Sequence, residues 1–289
     1  MNYKLRDLLK EASQRPYALG HFNFSTLGIL RAVVLACRGL KSPVFVGTSE
    51  GEAKYVGYGQ AAAQISVWRA ETGLPVYLNA DHHKTFESAK TAIDAGYDSV
   101  QIDETAFSLE ENIEVSRKVV EYAKGVNPDI SVEGGLGYIR GSSELHKEKI
   151  EVKPQDMTTP REAKRFVEET GVDRLAIVFG NIHGVSAAGN PRLDIERLKE
   201  IHETIPDVPL TLHGGSGISD EDIKAALPYG MSNIHVNTEI RAVYTDALRA
   251  SLDKDKEQTT PYKYLNSADE AAQRIVEEKL KLFNAIDLV

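Results

Sequence analysis

The chain has 289 residues, 42% hydrophobic and 27% charged, with a formal charge of −9. That length suits one large domain as well as two small ones, and the negative field disfavours nucleic acid and anionic membrane unless a local basic stripe offsets it, which the sequence lacks. No apolar stretch approaches the ~18 residues of a membrane span, and the N-terminal residues lack the apolar core of a secretory signal. The only cysteine, Cys37, lies in the apolar run AVVLACRGL and reads as a buried small hydrophobe. The expectation is a cytoplasmic protein without disulfides.

Strands are predicted at Tyr17–Asn23, Pro43–Gly47, Pro75–Ala80, Asp98–Ile102, Ile130–Gly134, Arg174–Phe179, Val208–His213 and Ser232–Val236. Between them run segments of helical periodicity, in order LGILRAVVLACRGL, YGQAAAQISVWRAE, TFESAKTAIDAG, LEENIEVSRKVVEYAKG, PREAKRFVEETG, DIERLKEIHETI, DEDIKAALPYG and TEIRAVYTDALRASL. Continuous apolar runs such as PVFVG and RLAIVF fit parallel strands buried on both faces. Eight strand–helix alternations predict a TIM (β/α)8 barrel, a fold of typically ~250 residues, occupying residues 1–289 as a single domain. An open doubly wound sheet fits less well, because no GxGxxG follows the first strand. Residues 135–157 are long and polar and read as a loop, the kind that forms lids. ADEAAQRIVEEKLKLFNAI reads as an added C-terminal amphipathic helix for packing or subunit contact.

In such a barrel the reactive groups gather where strands end. The predicted ends carry Asn23, Ser49, Asp81, His82, His83, Asp103, Glu133, His183, His213 and His235–Asn237, whereas the strand bodies read as apolar. One histidine at a strand end is more often structural than a ligand. His82, His183 and His213, at three different ends, together suggest three imidazoles around a catalytic metal. His146, in the polar loop, and His202, on a helix, read as solvated. In HGGSGISDED, backbone N–H groups of Gly214, Gly215 and Gly217 suit a phosphate ahead of a helix N-terminus, although GGSG alone is also a plain turn. Ser219 and Asp222 resemble a capping box.

The ordered motifs ALGHFNF, SPVFVGTSEG, LNADHH, DSVQID, SVEGGLG, FGNIHG, LHGGSGI and NIHVNTEIR resemble the class II fructose- and tagatose-bisphosphate aldolase family over nearly the whole chain. The resemblance implies a metal held by His82, His183 and His213, with Asp81 handling the proton of the substrate C4 hydroxyl. It implies phosphate contacts from Gly184, Gly214, Gly215, Ser216, Asn237 and Thr238, and polar support from Asn23, Ser49 and Asp103. A glutamate from the loop after the fifth strand carries the C3 proton in the family; Glu144 is the nearest acidic residue here. The implied cofactor is Zn2+ or another divalent metal, with room for a monovalent cation. The implied partners are a sugar phosphate and further copies of the chain, as a homodimer or homotetramer.

Three positions depart from the family pattern. Gly135 stands where a second glutamate is usual, His235 where asparagine is usual, and Asn237 where fructose-specific members often carry aspartate. The reaction implied is reversible cleavage of a ketose phosphate, such as fructose 1,6-bisphosphate, to dihydroxyacetone phosphate and an aldehyde. A metal-dependent sugar-phosphate isomerase or epimerase, and a sugar-phosphate binder without activity, remain open at this point.

Overall fold

A computed structural model describes residues 3–103 and 107–289. The elements in order are α1 (Leu5–Gln14), β1 (Leu19–Asn23), α2 (Leu27–Leu40), β2 (Val44–Ser49), α3 (Glu50–Val56), α4 (Tyr58–Thr72), β3 (Val76–His83), α5 (Phe86–Asp94), β4 (Ser99–Ile102), α6 (Leu109–Val126) and β5 (Ser131–Leu136). There follow β6 (Arg140–His146), a 3-10 turn at Pro154–Asp156, α7 (Pro160–Thr170), β7 (Arg174–Ile177), β8 (Ile182–Ser186), α8 (Ile195–Thr204), β9 (Leu210–Leu212), α9 (Asp220–Ala226), β10 (Met231–Val236), α10 (Thr238–Lys254) and α11 (Pro261–Leu282).

The eight predicted strands close into a parallel barrel in the order β1-β10-β9-β7-β5-β4-β3-β2. Side chains alternate across each strand. Val76, Leu78 and Ala80 of β3 join the apolar layer under the helices, with Val132 and Leu136 of β5. The opposite face of the same strands turns inward. There the expectation of apolar strand bodies fails: Asn79, Glu133, Arg174, Thr211, Asn233, His21 and His235 are all buried. Arg174 ion-pairs with Glu133, reaches Ser131 Oγ at 3.1 Å and Asn79 Oδ1 at 3.2 Å, and lies 4.8 Å over the Phe45 ring. Below this layer α1, not anticipated from sequence, packs Leu5, Leu8, Leu9 and Ala12 against Leu19, Phe45 and Tyr77, near the N-terminal ends of β1, β2 and β3.

The polar stretch after β5 is not merely a loop. Its residues 140–146 form β6, which pairs in parallel with β8 as a separate two-stranded sheet. The largely exposed β6 has no apolar alternation, and its pairing is carried by backbone. Helix α11 begins at Pro261, ahead of the predicted start at Ala268, and buries Ala272, Val276 and Leu280. Among the described residues, no helix is long and apolar enough to cross a membrane.

Candidate active site

The C-terminal mouth of the barrel holds a cavity of about 490 Å³. His82 reaches it through an unusual backbone conformation. The β3–β4 register shifts between Ala80 and His83, His82 has φ 51°, and its N–H donates to Gln101 Oε1 at 2.7 Å. A non-glycine residue held left-handed is costly, and such residues concentrate at functional sites. His82 Nδ1–H donates to Asp103 Oδ2 at 2.7 Å, leaving Nε2 to face the cavity centre.

His213, directly after β9, is oriented in the opposite sense. Its Nε2–H donates to Glu133 Oε1 at 2.7 Å, and its Nδ1 lies 3.0 Å from His82 Nε2. His183 comes from β8 in the small sheet, and its buried Nε2 has no hydrogen-bond partner among the described residues. One nitrogen from each of the three rings lies within 4.8 Å of the others. A carboxylate on the far nitrogen is the usual device for orienting a metal-binding imidazole. Two nitrogens so fixed and a third without a partner among the described residues fit a divalent cation once any proton they carry is released. Two deeper groups, His21–Asp81–His235 and Glu133–His213–His235, are equally compact. There, Glu133 and both nitrogens of His235 are already engaged.

Electrostatics separates His82 from His183. Burial lowers the His82 pKa, but Asp81 and Asp103 outweigh it and raise it to about 9. Burial and the neighbouring His82 and His213 lower His183 to about 3. The Asp81 carboxyl, although burial opposes ionisation, is held well below the usual carboxylate range by His82, His235 and His21. Its Oδ2 accepts from Asn23 Nδ2 at 2.9 Å and its Oδ1 from His235 Nδ1 at 3.1 Å. The β1–β10 register pairs His21 with His235, and their rings stack at 3.6 Å and 3°.

The predicted phosphate residues converge on the same cavity, lined by Gly184, Gly214, Ser216, Asn237 and Thr238. Asn190 Nδ2 ties their segments together, donating to Gly184 O at 3.0 Å and Ser216 O at 2.8 Å. Gly184 has φ 86°, and a Cβ there would meet Glu144 O at 2.3 Å. Asn237 Oδ1 is buried without a hydrogen-bond partner among the described residues. Gly215 is placed differently from expectation: its N–H donates to His235 O at 2.8 Å, and it does not line the cavity. Glu144 is exposed on β6 and does not line it either, while Ser143 beside it does.

Other expectations need correction. His146 is not simply solvated, because its Nε2 donates to Ser142 O at 2.9 Å and packs near His183 O at 3.1 Å. Nor is His202, whose Nδ1 is buried. The Ser219–Asp222 box is half formed: Ser219 Oγ accepts from Asp222 N at 3.2 Å, but the Asp222 carboxylate takes Arg192 and Leu193 N instead. Lining residues not singled out from sequence include Gly51, Glu52, Lys84 and Arg241. Arg241 lies three positions after Thr238 on α10, so helical spacing could have placed it on the same face.

A parallel eight-stranded barrel with three imidazoles and an aspartate at its C-terminal mouth defines the class as a metal-dependent barrel enzyme. The family model described as fructose-bisphosphate aldolase class-II matches residues 3–287, so the chain belongs to the class II fructose-bisphosphate aldolase family, a family of metal-dependent lyases. It is 36% identical over 282 residues to a fructose-bisphosphate aldolase of Staphylococcus epidermidis, and 37% identical over 284 residues to one of Staphylococcus aureus, covering 96% of each chain in both cases. Among solved structures, the YdjI aldolase of Escherichia coli K12 superposes with a TM-score of 0.81 at 28% identity, over 99% of each chain. The isomerase and inactive-binder readings are not favoured by this membership.

Proposed function

We propose that the chain cleaves a ketose phosphate reversibly to dihydroxyacetone phosphate and an aldehyde, with His82 Nε2, His183 Nε2 and His213 Nδ1 holding a zinc ion. The observation that carries this reading is that one nitrogen from each of the three rings converges beside Asp81, with two of the rings oriented by carboxylates. Three imidazoles with an open position suit catalytic zinc. Bound there, a divalent cation supplies Lewis-acid stabilisation of the negative charge that develops on the ketose oxygens.

The chain's own residues do the rest. Asp81, charged and held by Asn23 and His235, takes the C4 hydroxyl proton in cleavage and returns it in condensation. Ser216, Thr238, Asn237 and the backbone of Gly184 and Gly214 bind the phosphate of the dihydroxyacetone half, with Arg241 as the nearby cation. Ser143 links the two sides of this subsite: its Oγ lies 3.1 Å from Thr238 Oγ1, and its carbonyl accepts from Arg241. The barrel and α11 act as one domain in this reading, which the packing of α11 against α2 and β1 supports. A reducing cytoplasmic setting is consistent with the single buried, unpaired Cys37.

The test is metal analysis of the purified chain combined with a coupled triose-phosphate assay. The expected result is about one zinc per chain and triose phosphate produced from a ketose phosphate, lost on chelation and restored by zinc. Activity that survives complete chelation would sink the reading.

A further inference from the structure

The cavity wall carries a carboxylate that neither the cation nor the proton transfer uses. Glu52 lines the cavity and stands one amide away from Asp81. Asn23 Nδ2 donates both to Asp81 Oδ2 and to Glu52 Oε2, each at 2.9 Å. In the proposed reaction Asp81 acts at C4 and the first phosphate sits on residues of β8 and directly after β9 and β10, so Glu52, on α3 after β2 and across Asn23 from Asp81, would face the aldehyde half of the substrate.

Glu52 also has a structural role. It is the third residue of α3, and it completes a capping box with Ser49. Its Oε2 accepts from Ser49 N at 2.8 Å and Ser49 Oγ at 2.9 Å. The box requires an acceptor there but no charge, since glutamine serves as well. Oε1 has no hydrogen-bond partner among the described residues. The site therefore presents a spare acceptor and a negative charge where the aldehyde half lies. The donors of the other subsite are of opposite character: two hydroxyls, an amide and the Arg241 guanidinium. Two cations share the cavity with Glu52: Arg241 at the phosphate subsite and Lys84, whose side chain is exposed and forms no ion pair among the described residues.

We propose that Glu52 selects against a second phosphate, so that the substrate is a ketose 1-phosphate whose aldehyde half ends in hydroxyl groups. This rests on the aldolase reading of the site. A phosphate carries roughly −1.5 to −2 charges, and on C6 it would lie only two carbons beyond the C4 hydroxyl that Asp81 serves. Repulsion across a few ångströms at an effective dielectric of about 20 disfavours it by tenfold or more. A terminal hydroxyl instead donates to Oε1.

The experiment compares kcat/KM for fructose 1-phosphate against fructose 1,6-bisphosphate, and for the two tagatose counterparts, using the zinc-loaded full-length chain. Wild type should prefer the monophosphate of each pair. Glu52→Gln keeps the capping acceptor and removes the charge, and should raise the bisphosphate-to-monophosphate ratio about tenfold or more. Lys84→Ala should leave the monophosphate preference in place. A wild-type preference for bisphosphate, an unchanged ratio in Glu52→Gln, or a preference that depends on Lys84 would overturn the proposal. A chain that cleaves none of the four ketoses and consumes no dihydroxyacetone phosphate with any aldehyde would instead overturn the aldolase reading, and this inference with it.

Discussion

Glu133 engages both its oxygens at once: Oε1 accepts from His213 Nε2 at 2.7 Å, while Oε2 is paired with Arg174 and accepts from Thr211 Oγ1 at 3.0 Å. Burial works to raise its pKa, but Arg174 and His213 hold it well below the usual carboxylate range. The same side chain thus orients the His213 ring, proposed to hold the metal, and neutralises a fully buried guanidinium. Glu133→Gln should weaken zinc affinity about 10–100-fold, the usual cost of losing a partner behind a metal-binding histidine. Competition against a chelator of known affinity measures it. Glu133→Ala should also lower unfolding stability by about 3–5 kcal/mol, because Arg174 is left uncompensated in the core. Chemical denaturation of the metal-free chain reads that cost separately.

Asp81 can be separated from metal binding. It lines the cavity but is not one of the three imidazoles, and Asn23 and His235 hold its two oxygens in place. Asp81→Asn should reduce kcat by about 10²–10⁴-fold with bound zinc unchanged. Steady-state cleavage measured beside metal analysis decides the matter; near wild-type turnover would remove Asp81 from the proton transfer.

Metal binding should release a proton from His82. In the metal-free chain its folded pKa of about 9 exceeds the ordinary 6.5, so it is charged at neutral pH, and its Nε2–H lies toward His213 Nδ1. A cation must displace that proton. His183, lowered to about 3, is already neutral and releases none. Zinc uptake should therefore liberate about one proton from His82 near pH 7 and almost none near pH 10. Titration calorimetry in two buffers of different ionisation enthalpy reads the number. The linkage has a definite sign: a raised folded pKa stabilises the metal-free fold fully below the unfolded value of 6.5, and that contribution is lost as pH rises through about 9.

The barrel was legible because the outward faces of its strands are apolar and helical patterns alternate with them, and the eight predicted strands are the eight of the barrel. His82 and His213 were legible because they stand at barrel-strand ends in DHH and LHGGSG, whereas His183, in NIHGV, stands near the start of β8 in the small sheet rather than at the end of a barrel strand. The polar interior was harder to see. Asn79–Asp81, Ser131–Glu133 and Thr211–His213 alternate with apolar residues on the same strands, a period-2 signal hidden by reading the runs as uniformly apolar. The pairing of β6 with β8 left little sequence trace, because it relies on backbone groups of an exposed strand. Gly135 shows a limit of analogy. It lines a small cavity of about 20 Å³ near His82, Asp103 and His213, without the carboxylate that family resemblance would put there. The carboxylate actually engaged with His213 is Glu133, two residues earlier on the same face of β5.

Arg241 supplies the last test, of the phosphate subsite itself. It lines the cavity from α10, and its guanidinium donates to the Ser143 carbonyl, which leaves other N–H groups for a phosphate oxygen. A hydrogen bond to a charged group contributes about 1.5–3 kcal/mol, equivalent to roughly 10–100-fold in affinity. Arg241→Ala should raise KM for the ketose phosphate by that factor and change kcat much less, since the contact is made equally to bound substrate and to the transition state. Inorganic phosphate, as a competitive inhibitor, should weaken in parallel. A fall in kcat at unchanged KM would assign Arg241 to the chemical step instead, because only an interaction gained in the transition state has that signature.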